Sequence, residues 1–168
     1  SLKSIIGNYY SPVQKRLSEE VVGEVLLQKN ATISTAESCT GGNIAKMLTS
    51  ISGSSSYFVG SVVAYSIKTK EEVLKVKPEI ISTYGVVSEE VVREMALSSK
   101  KIFDSDYAIA TSGLASEEDV DGVKGGTVCY AIATPNGVFS QKVIFNTSRQ
   151  ENIQRASNKA LNYLISLF

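Results

Sequence analysis

The sequence predicts an α/β domain of three layers, α/β/α, in which helices cover both faces of a mixed, mostly parallel sheet that ends in an antiparallel hairpin. Three observations carry this prediction. Short apolar, β-branched runs alternate with segments of helical spacing along most of the 168 residues. The run Thr32 to Ala36 passes a short turn containing Gly41 and Gly42 and enters the helical spacing of Asn43 to Leu48, which reads as a strand, a tight turn and a helix. Toward the end, two β-rich runs flank Pro135-Asn136-Gly137, a hairpin signal, and an amphipathic helix follows.

Taken in order, Leu2 to Lys15 carry no clear period and are interrupted by Gly7, Tyr9, Tyr10 and Pro12, so residues 1–16 read as a linker or trailing end before one domain over 17–168. Ser18 is expected to cap a helix running to about Asn30, with Leu17 and Val22 placed as a hydrophobic staple. After the first strand and its helix, the serine-rich loop 52–56 leads to a β-rich run, 57–67, whose strand ends at Tyr65-Ser66. Helical spacing over 68–75, a restart at Pro78 and a short turn closed by Gly85 come next. Ser88 caps a helix to about Phe103, and Tyr107 to Ser112 form a third strand. A long acidic loop, 113–126, precedes strands at 127–134 and 138–145, and Ser148 with Glu151 forms a capping box for the last helix.

Composition narrows the chemistry. Lys plus Arg and Asp plus Glu balance at 17 each, so no net positive field recommends a nucleic-acid partner. The two cysteines, Cys39 and Cys129, and the absence of a long apolar run point to a reduced, cytoplasmic protein with no membrane segment. The chain has no histidine, which removes the commonest general base and the commonest zinc ligand, and no metal site is expected. Proton transfer near neutral pH then falls to a lysine of depressed pKa, a carboxylate of raised pKa, a tyrosine or a thiol.

Ligands of such sheets sit at the carboxyl ends of the parallel strands, and Ser38, Tyr65 and Ser112 with Gly113 all fall just past strand ends. At the turn after the first strand, helix N–H groups beside Ser38, Cys39 and Thr40 offer an anion or oxyanion site, and Gly41 and Gly42 admit close approach of a ligand. A serine nucleophile needs a base, and lysine is the candidate that remains. As bare residues, however, Lys68, Lys70 and Lys75 also read as a solvated helix face, Tyr65 as packing, and Arg149 as an exposed arginine beside a capping box.

The string Ala36-Glu37-Ser38-Cys39-Thr40-Gly41-Gly42 resembles the signature of the CinA C-terminal domain family, whose enzymatic members are the nicotinamide-nucleotide amidohydrolases, PncC. Tyr65-Ser66-Ile67-Lys68-Thr69-Lys70 resembles the family's Tyr-Ser-x-x-x-Lys, with Lys70 following Ser38 by 32 residues. Gly85-Val86-Val87-Ser88-Glu89-Glu90-Val91 and Asp106-Tyr107-Ala108-Ile109-Ala110 are similar to further family strings, and Phe145 with Arg149 to its Phe-x-Gly-x-Arg, Thr147 standing for the glycine. The matches span about Leu17 to Arg155 in the family's order.

The resemblance implies deamidation of nicotinamide mononucleotide to nicotinate mononucleotide and ammonia, with Ser38 as nucleophile, Lys70 as its base and Tyr65 orienting Lys70 or lining the base pocket. It implies that Glu37, Cys39, Thr40, Gly41, Gly42, Ser112 and Gly113 contact the substrate and that Arg149 holds the phosphate. It further implies no cofactor, a small-molecule nucleotide as partner, and a homodimer. Full-length CinA proteins carry a further domain before a similar linker, so the chain is expected to correspond to the second part of a two-domain protein.

The stretch 113–127 departs from the family: its Gly-Ile-Ala-Gly-Pro is Gly113-Leu114-Ala115-Ser116-Glu117 here, and its Lys-Pro-Val-Gly-Thr is Val123-Lys124-Gly125-Gly126-Thr127. Loss of both prolines and a glycine, with Glu117, Glu118 and Asp119 added, alters the stiffness and charge of a loop bordering the site. An alternative reading follows from that departure: a catalytically weak nucleotide-binding or interaction module of a larger CinA-type protein. A third has Cys39 rather than Ser38 as the attacking group.

Overall fold

The computed structural model describes residues 16–168. The proposed linker therefore lies outside the described residues except for Arg16, whose guanidinium pairs with Glu20 and Glu24 of the first helix. In chain order the elements are α1 (Ser18–Lys29), β1 (Ile33–Glu37), α2 (Asn43–Thr49), β2 (Phe58–Val63), α3 (Ile67–Glu72), α4 (Pro78–Tyr84), α5 (Glu89–Phe103), β3 (Tyr107–Gly113), β4 (Thr127–Thr134), β5 (Gly137–Ile144) and α6 (Arg149–Leu167).

Among the described residues, five strands form one sheet in the order β2-β1-β3-β4-β5. β1 pairs in parallel with both β2 and β3, while β3 with β4 and β4 with β5 are antiparallel, so within this sheet only β4 runs against the rest. The predicted mixed, mostly parallel sheet with a closing hairpin is what forms.

Alternation along the strands divides the core into two layers. Ile33, Tyr107, Ile109, Tyr130 and Ile132 pack with Val22 and Leu26 of α1, Ile44 and Leu48 of α2, and Leu161 and Leu164 of α6. The opposite face is lined by Ala36, Ala108, Ala110, Ala131 and Ala133 under Val91, Val92, Met95 and Ala96 of α5. Small residues there let α5 lie close to the sheet, and at its end Phe103 stands where a Cβ on Gly60 would approach its ring to 2.5 Å.

Local signals held in some places and were overridden in others. Ser88 and Ser148 cap α5 and α6, each hydroxyl accepting an N–H from three residues on at 3.3 Å. Ser18 does not cap α1: Leu17 occupies the cap position without a side-chain bond, and the Ser18 hydroxyl donates instead to Asn162 on α6 at 2.7 Å. Leu17 is 55% exposed, so the staple with buried Val22 does not form either. β2 ends at Val63, before the predicted Tyr65-Ser66, because Ser66 accepts the Thr69 N–H at 3.1 Å and starts α3. In the β4–β5 hairpin Thr134 pairs with Gly137, which makes Pro135 and Asn136 the turn residues rather than Asn-Gly.

The acidic loop contains a tight turn of its own. Val120 and Val123 exchange N–H···O bonds of 3.0 and 2.9 Å across Asp121-Gly122, whose φ values of 50° and 78° form a two-residue turn with both central residues left-handed. Asp119 accepts the Gly125 N–H at 2.8 Å, and the Gly126 N–H is shared between the carbonyls of Leu114 and Ser116 at 2.9 Å each. The loop is thus closed on itself by hydrogen bonds.

Gly126 makes that closure possible, since it sits at φ +81° and a Cβ there would lie 1.9 Å from the Phe145 carbonyl oxygen. Gly126→Ala is expected to destabilise the fold by about 3 kcal/mol, backbone strain and a clash adding together. Urea denaturation checks this as a lowered midpoint at unchanged slope.

Candidate active site

The carboxyl ends of β1, β2 and β3 and the start of α6 converge on a pocket of about 390 Å³, within the range of small-molecule sites. Ser38 follows β1 directly and remains part of the ladder, its N–H donating to the Thr111 carbonyl at 3.0 Å. The Glu37 carbonyl accepts the Ala64 N–H at 2.8 Å, which carries the β1–β2 pairing one step past the end of β2. A serine held this way has a fixed position, where a loop serine would not.

Lys70, in the last turn of the six-residue α3, turns back over this edge and is 1% exposed. Its Nζ lies 2.8 Å from Ser38 Oγ, 2.8 Å from the Ala64 carbonyl and 3.3 Å from the Tyr65 carbonyl. The ammonium form donates one N–H to each. Two of these partners are carbonyls that can only accept, so a neutral amine keeps its two N–H groups on them and turns its lone pair to the Ser38 hydroxyl. Burial disfavours the charged form and holds the pKa at about 8, against an ordinary 10.5. A Cys39 thiolate would oppose this, but burial pushes the Cys39 thiol up to about 12, so it stays neutral. The Lys70 amine bonds the Ser38 hydroxyl, and the Cys39 thiol is not among its hydrogen-bond partners.

The structure separates the predicted site residues into two sets. Ser38, Cys39, Tyr65, Lys70, Ser112, Gly113 and Arg149 line the pocket, together with Val86, Val87, Leu114, Ser116 and Glu118 among others. Glu37, Thr40, Gly41 and Gly42 do not. The fully buried Glu37 carboxylate accepts the N–H groups of Ile44 and Ala45 at 2.8 and 2.9 Å and the hydroxyls of Thr40 and Thr35 at 2.7 and 3.2 Å. The anion expected at the start of α2 is therefore the chain's own, and the helix N-terminus is occupied. Thr40 accepts in turn from Thr111 at 2.8 Å, while Gly41 and Gly42, at φ 59° and 96°, make the turn. These four residues are scaffolding for Ser38.

Two of the pocket-lining residues have their side chains engaged by the protein itself. The Tyr65 side chain, 60% exposed, does not orient Lys70; its hydroxyl accepts from Arg149 Nη2 at 2.9 Å, and only its carbonyl reaches the amine. The Ser112 hydroxyl is committed to the Val86 carbonyl at 2.8 Å, which fastens the α4–α5 connection to β3. Sequence reasoning missed the Ala64 and Tyr65 carbonyls, because backbone acceptors carry no side-chain signal. It also missed buried Asn152, whose Nδ2 donates to the carbonyls of Ala115 and Thr147 at 2.8 and 3.0 Å and ties the loop to α6. Among the described residues no group of His, Cys, Asp and Glu could hold a metal ion, and no helix is long and apolar enough to cross a membrane.

The sequence and the fold have counterparts in known proteins. The family model of the CinA C-terminal domain matches residues 15–168. The chain belongs to this family. It is 49% identical over 147 residues to a CinA-like protein of Flavobacterium psychrophilum, covering 87% of this chain and 35% of that protein. A CinA-like protein of Fervidobacterium nodosum is 45% identical over 146 residues, 86% of this chain and 36% of its own length. The chain thus spans about a third of the curated relatives it matches. Among solved structures, the competence damage-inducible protein A of Klebsiella pneumoniae superposes with a TM-score of 0.86 at 30% identity, covering 90% of this chain and 96% of that one. A competence/damage-inducible protein of Agrobacterium tumefaciens does so with a TM-score of 0.82 at 29% identity, covering 92% and 99%. The CinA fold therefore extends over nearly the whole of these single-domain structures.

The depressed lysine pKa has a consequence for stability that is independent of any substrate. Between about pH 8 and 10.5 the unfolded chain holds the Lys70 proton and the folded chain does not, so this residue adds stability as pH rises through that window. The two buried thiols act the other way, since folding keeps them protonated. The comparison with Lys70→Met isolates the lysine: the variant's advantage at pH 7, on the order of 3 kcal/mol at most, is expected to shrink toward pH 10. Denaturation midpoints of both proteins across that range check it.

Proposed function

We propose that this domain is a nicotinamide-nucleotide amidohydrolase that converts nicotinamide mononucleotide to nicotinate mononucleotide and ammonia through a Ser38–Lys70 dyad. The observation that carries this reading is the 2.8 Å contact between a buried amine of pKa about 8 and a serine hydroxyl at the floor of a pocket of about 390 Å³. Family membership supports it, and the missing histidine leaves lysine as the base.

In this reading Lys70 Nζ takes the Ser38 proton as Oγ attacks the carboxamide carbon, and the carbonyl oxygen becomes an oxyanion. The Gly41 N–H is spent on the Ser38 carbonyl at 3.0 Å, so the donor the turn offers the oxyanion is the N–H of pocket-lining Cys39. Collapse breaks the C–N bond, with the proton on Nζ passing to the leaving nitrogen, and ammonia departs from an ester on Ser38. Water then attacks that ester, gives its proton to Lys70, and the second collapse returns the proton to Ser38 Oγ and frees the carboxylate. The apolar side chains of Val86, Val87 and Leu114 receive the ring, and Arg149 holds the 5′-phosphate.

Ammonia release from nicotinamide mononucleotide by the purified protein tests the reading; a protein that binds the nucleotide without releasing ammonia would leave the binding-module alternative. With activity in hand, kcat/KM is expected to rise with pH through about 8, where Lys70 becomes the free base. Lys70→Ala is expected to lose that limb and about 10²- to 10⁴-fold in rate. Ser38→Ala should lose as much, and the double variant little more, because the two act as a unit.

Arg149→Ala is expected to raise KM for the mononucleotide about 10-fold or more, as the loss of one charge-assisted phosphate contact. Nicotinamide riboside, which lacks the phosphate, is the control: equal losses on both substrates would give Arg149 a structural role instead.

A further inference from the structure

An exposed arginine at the first position of a helix ordinarily samples many rotamers, and freezing it for a ligand costs free energy. Arg149 is held already. Its Nη1 donates to Ser116 Oγ at 2.8 Å and its Nη2 to the Tyr65 hydroxyl at 2.9 Å. The two hydroxyls come from different segments, one just past β2 and one in the loop after β3, and with the start of α6 they meet over the pocket that all three residues line.

This arrangement is built from below. The Ser116 carbonyl accepts the Gly126 N–H at 2.9 Å, and the Ala115 carbonyl accepts from buried Asn152 at 2.8 Å, so the loop presenting the Ser116 hydroxyl is fastened on both sides. The guanidinium is not neutralised by the hold. Glu118 lines the same pocket, yet the ion pairs among the described residues are those of Arg16, and Arg149 forms none. A guanidinium has five N–H groups, and two neutral hydroxyls occupy only one on each terminal nitrogen, which leaves a second N–H on each for an incoming anion.

We propose that Ser116, acting with Tyr65, is a positioning residue that sets the Arg149 guanidinium in advance to receive a phosphate monoester. The proposal deepens the amidohydrolase reading by naming what determines its preference for phosphorylated substrates, and it rests on that reading only for the identity of the full substrate. Ser116 touches the arginine and not the reacting atoms, so its removal acts on binding and leaves the dyad intact.

Ribose 5-phosphate, which carries the phosphate and no amide, probes the seat without turnover. By calorimetry the intact protein is expected to bind it, Arg149→Ala to lose it, Ser116→Ala to weaken it about fivefold through the rotamer freedom returned to one long side chain, and Ser116→Thr to restore it. Tyr65→Phe should weaken it likewise. In the amide assay Ser116→Ala is expected to raise KM for nicotinamide mononucleotide with kcat unchanged and to leave nicotinamide riboside unaffected. Undiminished ribose 5-phosphate binding by Ser116→Ala overturns the proposal, as does absence of binding by the intact protein or an equal loss on both amide substrates. A protein with the Ser116 dependence but no ammonia release upholds the seat and sinks the amidohydrolase reading, so the two fail separately.

Discussion

The pocket edge of this sheet is organised around a buried amine, that of Lys70. Lysine serves as a base near neutral pH only where water is withheld from its charged form, and withholding water from a long cationic side chain requires partners for its protons. Here the sheet supplies them. The chain leaves β2 while still bonded to Glu37, which turns the Ala64 and Tyr65 carbonyls inward, and α3 starts within two residues to bring Lys70 back onto them. Carbonyls accept and never donate, so they hold the amine in either protonation state and leave the Ser38 hydroxyl as the one partner whose bond can reverse.

The signature turn serves the same end from the other side. Burial of Glu37 would be costly for a lone carboxylate; the two N–H groups at the start of α2 and two threonine hydroxyls satisfy it. That carboxylate links the end of β1 to the helix and leaves Ser38, the next residue, fixed between sheet and helix. Signature residues that look like a ligand site are thus largely consumed in placing one hydroxyl. Elsewhere on the rim of the pocket Arg149 is bonded to Ser116 and Tyr65, and Ser116 belongs to the loop between β3 and β4.

That loop shows how a departure from a family pattern can be structurally complete. Two prolines that limit backbone freedom are absent, and in their place Asp121-Gly122 forms a tight turn, Asp119 takes the Gly125 N–H, and Asn152 anchors Ala115 from α6. A Cβ at Gly125 would lie 2.0 Å from the Glu117 carbonyl oxygen, so the glycine allows the two arms of the loop to touch. Added acidity is partly spent in the same closure, since Asp119 is bonded within the loop while Glu118 faces the pocket.

The layered fold, the parallel core of the sheet, the closing hairpin and the caps of α5 and α6 were legible in the sequence because each rests on local chemistry: period, glycine placement, or a serine hydroxyl three residues before a free N–H. The absence of histidine narrowed the choice of base, and the resemblance of the Ser38 and Lys70 strings to the family's motifs singled out that pair for the proposed dyad. Tertiary structure decided what local chemistry leaves open. Ser18 prefers Asn162 to its own helix, the Tyr65 hydroxyl turns to Arg149 while its carbonyl serves Lys70, and Glu37 caps α2 instead of meeting a ligand. In each case a polar group had two possible partners at similar cost, and the choice fell to whichever one the packed sheet and helices brought within hydrogen-bond reach.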